Sequence, residues 1–473
     1  MSYTTEATYV QQATACIHPA RHGLGRRQPG ENETITPLPS TAHMHRLSRH
    51  VVSMRLTPLT GLACLVVALP WPHRAVAQAR KAPASAMQEK DRASRSVTAA
   101  TRRSLRDTLQ AILDRGVSDS AFPGAVAVIG SHTGPIVSVT AGRQDWGSEY
   151  KTTISTMWDL ASLTKVVGTT SALMQLVESG KLDLDAPVQH YLPEWKGVNK
   201  EKVTVRQLAT HQGGLPPFKQ YFKANVSPDS TYHLFLTTPL DTLPGIRMAY
   251  SDIGFILLGK VVERVSGESL DHYVVTHVFQ PLGMRDTRYK PLKVERYRTA
   301  PTEIDPWRGR KLNGEVHDEN AYALGQVSGH AGLFSTARDL EKLAGAYLNG
   351  GAFGTGRLAS AQTIRQFTTV VDSTFSSRAL GWDTPSDNSS AGHFIRRPAF
   401  GHTGFTGTSI WIAPQHDLYV ILLTARVNPT REHNKIGPVR AAVADATMRA
   451  LAPAVVADLE AHPASATPPS GRP

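Results

Sequence analysis

The stretch "LASLTKVV" places Ser162 three residues before Lys165. On a helix, residues three apart share a face, so the lysine amine can approach the serine hydroxyl. A free serine is a weak nucleophile and needs a neighbour to take its proton. A lysine does this only when burial or a second cation depresses its pKa. The chemistry on offer is attack by an alcohol assisted by an amine. The same pair also reads as a helix N-cap and a surface lysine, so support is needed elsewhere. Two segments supply it. "AYSDIG" gives Tyr250, Ser251 and Asp252, and "FGHTGFTGTS" gives His402, Thr403, Gly404 and Phe405 just before a strand-like run. Glycines at an edge strand let a substrate backbone approach closely.

These residues need elements to carry them. In "RRSLRDTLQAILDRGV", Leu105, Leu109, Ile112 and Leu113 recur at helical spacing. "GAVAVIG" and "PIVSVTAG" are Val-rich runs separated by "SHTG", which reads as a strand pair. In "SDIGFILLGKVVERVSG", Ile253, Ile256, Leu257, Val261 and Val265 line one face, and Gly267 stands where a helix would stop. "SIWIAP" and "LYVILLTA" are strands joined by a hairpin-length "QHD", and a last helix opens near Pro438 and carries Val439, Val443 and Met448. Strands from both ends of the chain then form one antiparallel sheet flanked by helices. The middle becomes an inserted, mainly helical lobe over about 166–334. This is an α/β (α+β) architecture with a cleft between lobes for chemistry.

The order Ser-x-x-Lys, Tyr-Ser-x, x-Thr-Gly resembles the serine β-lactamase and penicillin-binding-protein family, on its class C and D-alanyl-D-alanine peptidase side. "LATHQGGLP" at 208–216, "PLGMRDT" at 281–287 and "GHAGLFSTARDL" at 329–340 also look like family segments, and the resemblance spans about 101–452. It implies a β-lactamase/transpeptidase-like fold and no cofactor. It also implies roles. Ser162 is the acylated nucleophile, and Lys165 and Tyr250 share the general-base work. His402 and Thr403, with Gly404 beside them, contact a substrate carboxylate or carbonyl. The backbone N–H groups of Ser162 and Phe405 form the oxyanion hole.

Two residues depart from the pattern. Asp252, which the resemblance also sets at the substrate-binding site, stands where many members have Asn. A carboxylate cannot donate to a substrate carbonyl, and beside Lys165 it raises the lysine pKa, which shifts base work to Tyr250. His402 stands where β-lactamases often have Lys. Histidine is mostly neutral near pH 7 and holds a carboxylate less firmly. The expected activity is hydrolysis, through an acyl-serine, of an ester, an amide or a D-Ala-D-Ala-type peptide. The alternatives are a β-lactamase proper or a penicillin-binding sensor or scaffold that never turns over. His211, His317, Asp318 and His330 read as loop-packing residues rather than metal ligands, since no His-x-x-x-His or comparable cluster is present. Trp158, Trp195, Trp307, Trp382 and Trp411 read as core or lobe packing.

The 473 residues, 41% hydrophobic and 19% charged, describe a globular chain long enough for a large core. The formal charge of +12 is spread rather than clustered, and no Lys/Arg runs with interleaved aromatics point to nucleic acid. Arg46, Arg49 and Arg55 precede or enter the apolar "LTPLTGLACLVVALP", which ends at small residues Ala75 and Ala77, the order of a secretory signal peptide. Residues 1–77 therefore read as a mis-extended start plus signal, with a true start near Met44 or Met54 and cleavage near Ala77. The apolar run is too short for a comfortable membrane span. Cys64 in "GLAC" is a weaker candidate for a lipid anchor. Cys16 and Cys64 both precede the cleavage point, so the mature chain has no thiol. Residues 78–100 read as a linker and 453–473 as a disordered tail around a hydrolase domain at 101–452.

Overall fold

Alternation of side chains along one Val-rich strand decides how this molecule is layered. In β1, Gly124–Ser131, Ala125, Ala127 and Ile129 belong to one buried cluster, and Val126 and Val128 to another. Successive side chains of a strand point to opposite faces. A strand apolar on both faces must be covered on both. β1 lies inside a five-stranded antiparallel sheet with β2 (Gly134–Gly142), β3 (Phe400–Thr403), β4 (Ser409–Ala413) and β5 (Leu418–Thr424), in the order β3-β4-β5-β1-β2. The two ends of the chain meet where β1 pairs with β5, with Val126 opposite Leu423 and Val128 opposite Ile421. The structure is a computed structural model and describes residues 97–373, 376–386 and 389–462.

One face of the sheet is covered by α1, Ala99–Ser118, and by a helix near the C-terminus, Ile436–Leu451. Leu105, Leu109 and Leu113 of α1 are buried there with Val443 and Met448. The other face meets the inserted segment. That segment holds α2 from Ser171 to Glu178, α3 at Asp252–Ser266, and a helix at Ala337–Leu348 that packs on β1 and β5. α3 ends at Gly267, whose φ of +75° is the left-handed stop its sequence predicts. The lobe is not wholly helical. Trp158–Asp159, Leu333–Ser335 and Arg288–Tyr289 form a small three-stranded sheet.

Two expectations need correction. α1 starts at Ala99, inside the segment read as linker, because Thr98 caps it by accepting from the Thr101 N–H. The tail read as disordered from 453 begins with a helix, Pro453–Ala461; Val456 is buried against the α1 cluster, so apolar contact outweighs a Pro/Ala-rich composition. The tryptophans pack as expected: Trp158, Trp195, Trp382 and Trp411 are buried, and Trp307, 36% exposed, sets its ring against Phe222 and Tyr322. Residues 1–96 and 463–473, and with them the signal, both cysteines, most of the linker and the rest of the tail, lie outside the described residues. Among the described residues no helix is long and apolar enough to cross a membrane.

Candidate active site

Ser162 sits on a sharp turn. Trp158–Asp159 is a strand, and two residues later Ala161 takes a φ of +45°, a left-handed conformation that costs a non-glycine residue energy. Asp159 offsets that cost: its carboxylate accepts the Ala161 N–H at 2.8 Å and, from the lobe, the His317 N–H at 2.6 Å. Burial pushes the Asp159 carboxyl up against those two bonds. The N–H groups of Leu163, Thr164 and Lys165 then bond the carbonyls of Leu160, Ala161 and Ser162, each at 3.0 Å. A π-helical stretch, Lys165–Thr170, follows. Ser162 thus precedes the helix instead of lying along it, and the tight turn still aims Lys165 back at the serine.

Lys165 is fully buried. Its Nζ lies 3.0 Å from Ser162 Oγ, 2.7 Å from Asp252 Oδ1 and 3.1 Å from the His330 carbonyl oxygen. An ammonium has three hydrogens, and three partners stand in place to take them. Burial alone would lower the lysine pKa, but the Asp252 carboxylate and the Tyr250 hydroxyl together outweigh it, so the pKa is raised. The expected effect of Asp at this position is present.

Tyr250 and Asp252 arrive together at the start of α3. Ser251 caps the helix: its Oγ accepts the Gly254 N–H and donates to the Pro216 carbonyl at 2.7 Å, while its N–H donates to His211 Nδ1 at 3.0 Å. The Tyr250 ring centre is 5.0 Å from Lys165 Nζ and 4.4 Å from the His211 ring. Burial pushes the phenol pKa up. Lys165 draws it the other way, and so do interactions of the hydroxyl with Lys165 and Ser162. An alcohol, an amine and a phenol therefore meet here.

The "HTGFTGTS" segment closes the site. A Cβ on Gly404 would lie 2.1 Å from Thr408 Oγ1 and 2.4 Å from the Leu160 carbonyl oxygen, so only glycine lets this turn reach the serine turn. Thr406 Oγ1 donates to the Asp159 carbonyl at 2.7 Å and Thr408 Oγ1 to the Leu160 carbonyl at 3.1 Å. Arg440 Nη2 ties the Gly404 and Thr408 carbonyls at 2.7 and 2.8 Å. Among the described residues, the N–H groups of Ser162 and Phe405 donate to no protein acceptor. His402 is 3% exposed; its Nδ1 bonds the Thr403 carbonyl at 2.8 Å. Burial, with Arg378 and Lys165 nearby, pushes the pKa of His402 well below the usual imidazole value, and the same three causes act on His211.

Several contributors escaped sequence reasoning: Asp159, the His330 carbonyl, Thr406, Thr408 and Arg378. His330, Thr406 and Thr408 lie inside quoted motifs but not in these roles, Arg378 lies outside them, and Asp159 joins the serine turn to the distant lobe at His317. The remaining histidines have carboxylate partners. His330 Nε2 lies 2.9 Å from Asp318, with Ser328 on its Nδ1 at 2.8 Å. His317 Nε2 lies 2.8 Å from Glu303. Burial opposes ionisation of Glu303, but His317 and Arg431 hold its pKa at about 2. Among the described residues no three His, Cys, Asp or Glu side chains converge as a metal site.

Comparisons with known proteins agree with the fold. A family model described as Beta-lactamase matches residues 109–445. A protein of Salmonella agona named "Putative D-alanyl-D-alanine carboxypeptidase" is 35% identical, over 60% of this chain and 73% of its own. A solved penicillin-binding protein homolog from Caulobacter crescentus superposes with a TM-score of 0.61 at 21% identity, covering 76% of this chain and 99% of that one. A family VIII carboxylesterase superposes with a TM-score of 0.59 at 22% identity, over 76% and 99%. At these identities the two structures are similar in fold.

Proposed function

The chain belongs to the beta-lactamase family and is a serine hydrolase; from that premise we propose that it works through an acyl-serine at Ser162, on an ester, an amide or a D-Ala-D-Ala-type peptide. The observation that carries this reading is the meeting of Ser162, Tyr250 and Asp252 around one buried amine, Lys165.

The proton path follows from the charges. At rest Lys165 is an ammonium and Tyr250 a neutral phenol, since both pKa values are raised. Neither is a free base, so a relay does the work. Tyr250 gives its proton to the leaving group, Lys165 gives one to Tyr250, and Lys165 takes the Ser162 proton as Oγ attacks. Asp252 and the His330 carbonyl can only accept and keep their two hydrogens, so the hydrogen on the Ser162 side is the one Lys165 passes to Tyr250, and the Ser162 proton then replaces it on nitrogen. One proton passes from Ser162 to the leaving group, and the charges of the pair are restored. Such relayed acid–base work contributes on the order of 100- to 10,000-fold in rate. The Ser162 and Phe405 N–H groups take the oxyanion, each worth roughly 100- to 1000-fold. Water then repeats the path against the ester on Ser162.

Turnover of a D-Ala-D-Ala peptide, p-nitrophenyl acetate and a chromogenic cephalosporin by wild type and Ser162→Ala tests this. Release of product from the peptide or the ester, abolished in Ser162→Ala, is expected. A β-lactam turned over far faster than both would make the protein a β-lactamase proper, and acylation without release would make it a sensor. We further propose export, with cleavage near Ala77, from the Arg-rich start and apolar run of residues 46–77. The N-terminal sequence of the exported protein tests it.

A further inference from the structure

Over one short run of chain, three apolar side chains and three cations stand together in water. Leu292, Val294 and Tyr297 are 52%, 74% and 63% exposed, and Lys290, Lys293 and Arg296 among them are exposed as well. Apolar groups scattered singly on a surface are ordinary, whereas a contiguous group rimmed by charge marks an interaction surface. The backbone sorts these side chains. Lys293–Arg298 is a 3₁₀-helix, which turns once in every three residues, so residues three apart stand in line. Glu295 and Arg298 form the row that meets the rest of the protein. Glu295 is buried, accepts the Leu292 N–H at 2.8 Å and accepts from Arg298 Nη2 at 2.7 Å, while Arg298 also reaches Asp286 at 2.7 Å. Lys293 and Arg296 form a cationic row, and Val294 and Tyr297 an apolar one. Both of these rows face solvent.

The charge on this face is one-sided. The neighbouring carboxylates, Glu295 and Asp286, are taken by Arg298, with Arg288 a looser 3.7 Å from Glu295. Lys290, Lys293 and Arg296 form no ion pair among the described residues. A bilayer of anionic lipid answers both rows at once, with phosphates at its surface and apolar depth just beneath. A soluble polyanion would answer only the cations. The helix is also firmly mounted. The Arg298 carbonyl accepts the Met157 N–H at 2.8 Å and the Met157 carbonyl accepts the Ala300 N–H at 2.9 Å, and Met157 leads through Trp158–Asp159 into the Ser162 turn.

We propose that this face docks reversibly on a membrane surface rich in anionic phospholipid, with Leu292, Val294 and Tyr297 entering the headgroup layer and Lys290, Lys293 and Arg296 on its phosphates. Docking there holds the Ser162 turn at a fixed distance from the lipid.

Co-sedimentation of the full chain with vesicles tests this. Wild type should bind vesicles of mixed phosphatidylglycerol and phosphatidylcholine on the order of 100-fold more strongly than pure phosphatidylcholine, and added salt should weaken that binding. Replacing all three cations, by Lys290→Gln, Lys293→Gln and Arg296→Gln together, should reduce the preference by about 100-fold. Replacing the apolar trio, by Leu292→Ser, Val294→Ser and Tyr297→Ser together, should weaken binding to the mixed vesicles by about tenfold. All six side chains are exposed, so both variants should keep the wild-type Tm. Equal binding of wild type to the two kinds of vesicle, or a preference that survives in the Gln variant, overturns the proposal. Wild-type binding by the Ser variant overturns it too, and would make the face a site for a phosphate polymer. Vesicle binding is read without turnover, so none of these outcomes bears on the acyl-serine reading.

Discussion

Two sets of side chains meet at Tyr250. In the first, Lys165, Ser162, Asp252 and the His330 carbonyl form a closed group in which a fully buried cation has a partner for every hydrogen. In the second, His211, His402 and Arg378 each bury a polar nitrogen that has no partner among the described residues. Burying a charge is tolerable only when it is paired, and burying an unpaired polar atom costs free energy that something bound can recover. The first set is therefore complete before substrate arrives, which suits groups that must move a proton without rearranging. The second has three nitrogens still to be satisfied, which suits recognition of a ligand. A single ring, shared by both, couples the two tasks.

Breaking the first set should give the largest effects. Ser162→Ala and Lys165→Ala should each reduce kcat by about 10,000-fold or more, and the double variant should be little worse, because the pair acts as a unit. Additive losses, measured by steady-state kinetics, would separate residues placed together here. Tyr250→Phe should slow acylation by about 100- to 1000-fold, read by rapid quench; near-normal acylation would remove the phenol from the relay. Gly404→Ala tests whether the two sets share a frame. Its Cβ would push the turn off Leu160 and cost about 1–3 kcal/mol in Tm-derived stability together with most activity.

The second set has a signature in pH. His211 and His402 are neutral when folded, with pKa values well below the ordinary 6.5. As pH falls through 6.5, the unfolded chain takes up protons that these two folded imidazoles refuse, so their contribution makes the folded state less stable toward acid. The drop in Tm between pH 7.5 and 5.5 should accordingly be smaller in His402→Asn than in wild type; an equal drop would mean the imidazole is protonated when folded. The smallest effect belongs to the seam. Thr406→Val removes one hydrogen bond to the Asp159 carbonyl and should cost about 1 kcal/mol, whereas Thr406→Ser should cost less.

How much of this was legible in the chain depends on range. Leu105, Leu109 and Leu113 announce α1 because helical periodicity is local, and the Val-rich runs at 124–142 announce a hairpin for the same reason. The Ser162–Lys165 pair was visible as a spacing, although the intervening turn is tighter than a helix. Asp252 was readable as a charge that would hold Lys165, and it does so at 2.7 Å. Asp159, Thr406 and Arg378 were not readable. Thr406 and Arg378 matter through residues far away in sequence, Asp159 through both Ala161 beside it and His317 in the lobe, and an isolated Asp, Thr or Arg carries no periodic signal. The helix Pro453–Ala461 was hidden for a related reason: its composition is that of a tail, and only the apolar surface waiting beside Val456 makes it a helix.

The central claim is covalent chemistry at one oxygen. Mass spectrometry of the protein quenched during turnover of a p-nitrophenyl ester, followed by peptide mapping, reads it directly. The acyl mass should appear on the peptide carrying Ser162 and vanish in Ser162→Ala. An acyl group on any other residue, or an adduct of equal amount in Ser162→Ala, would contradict the account.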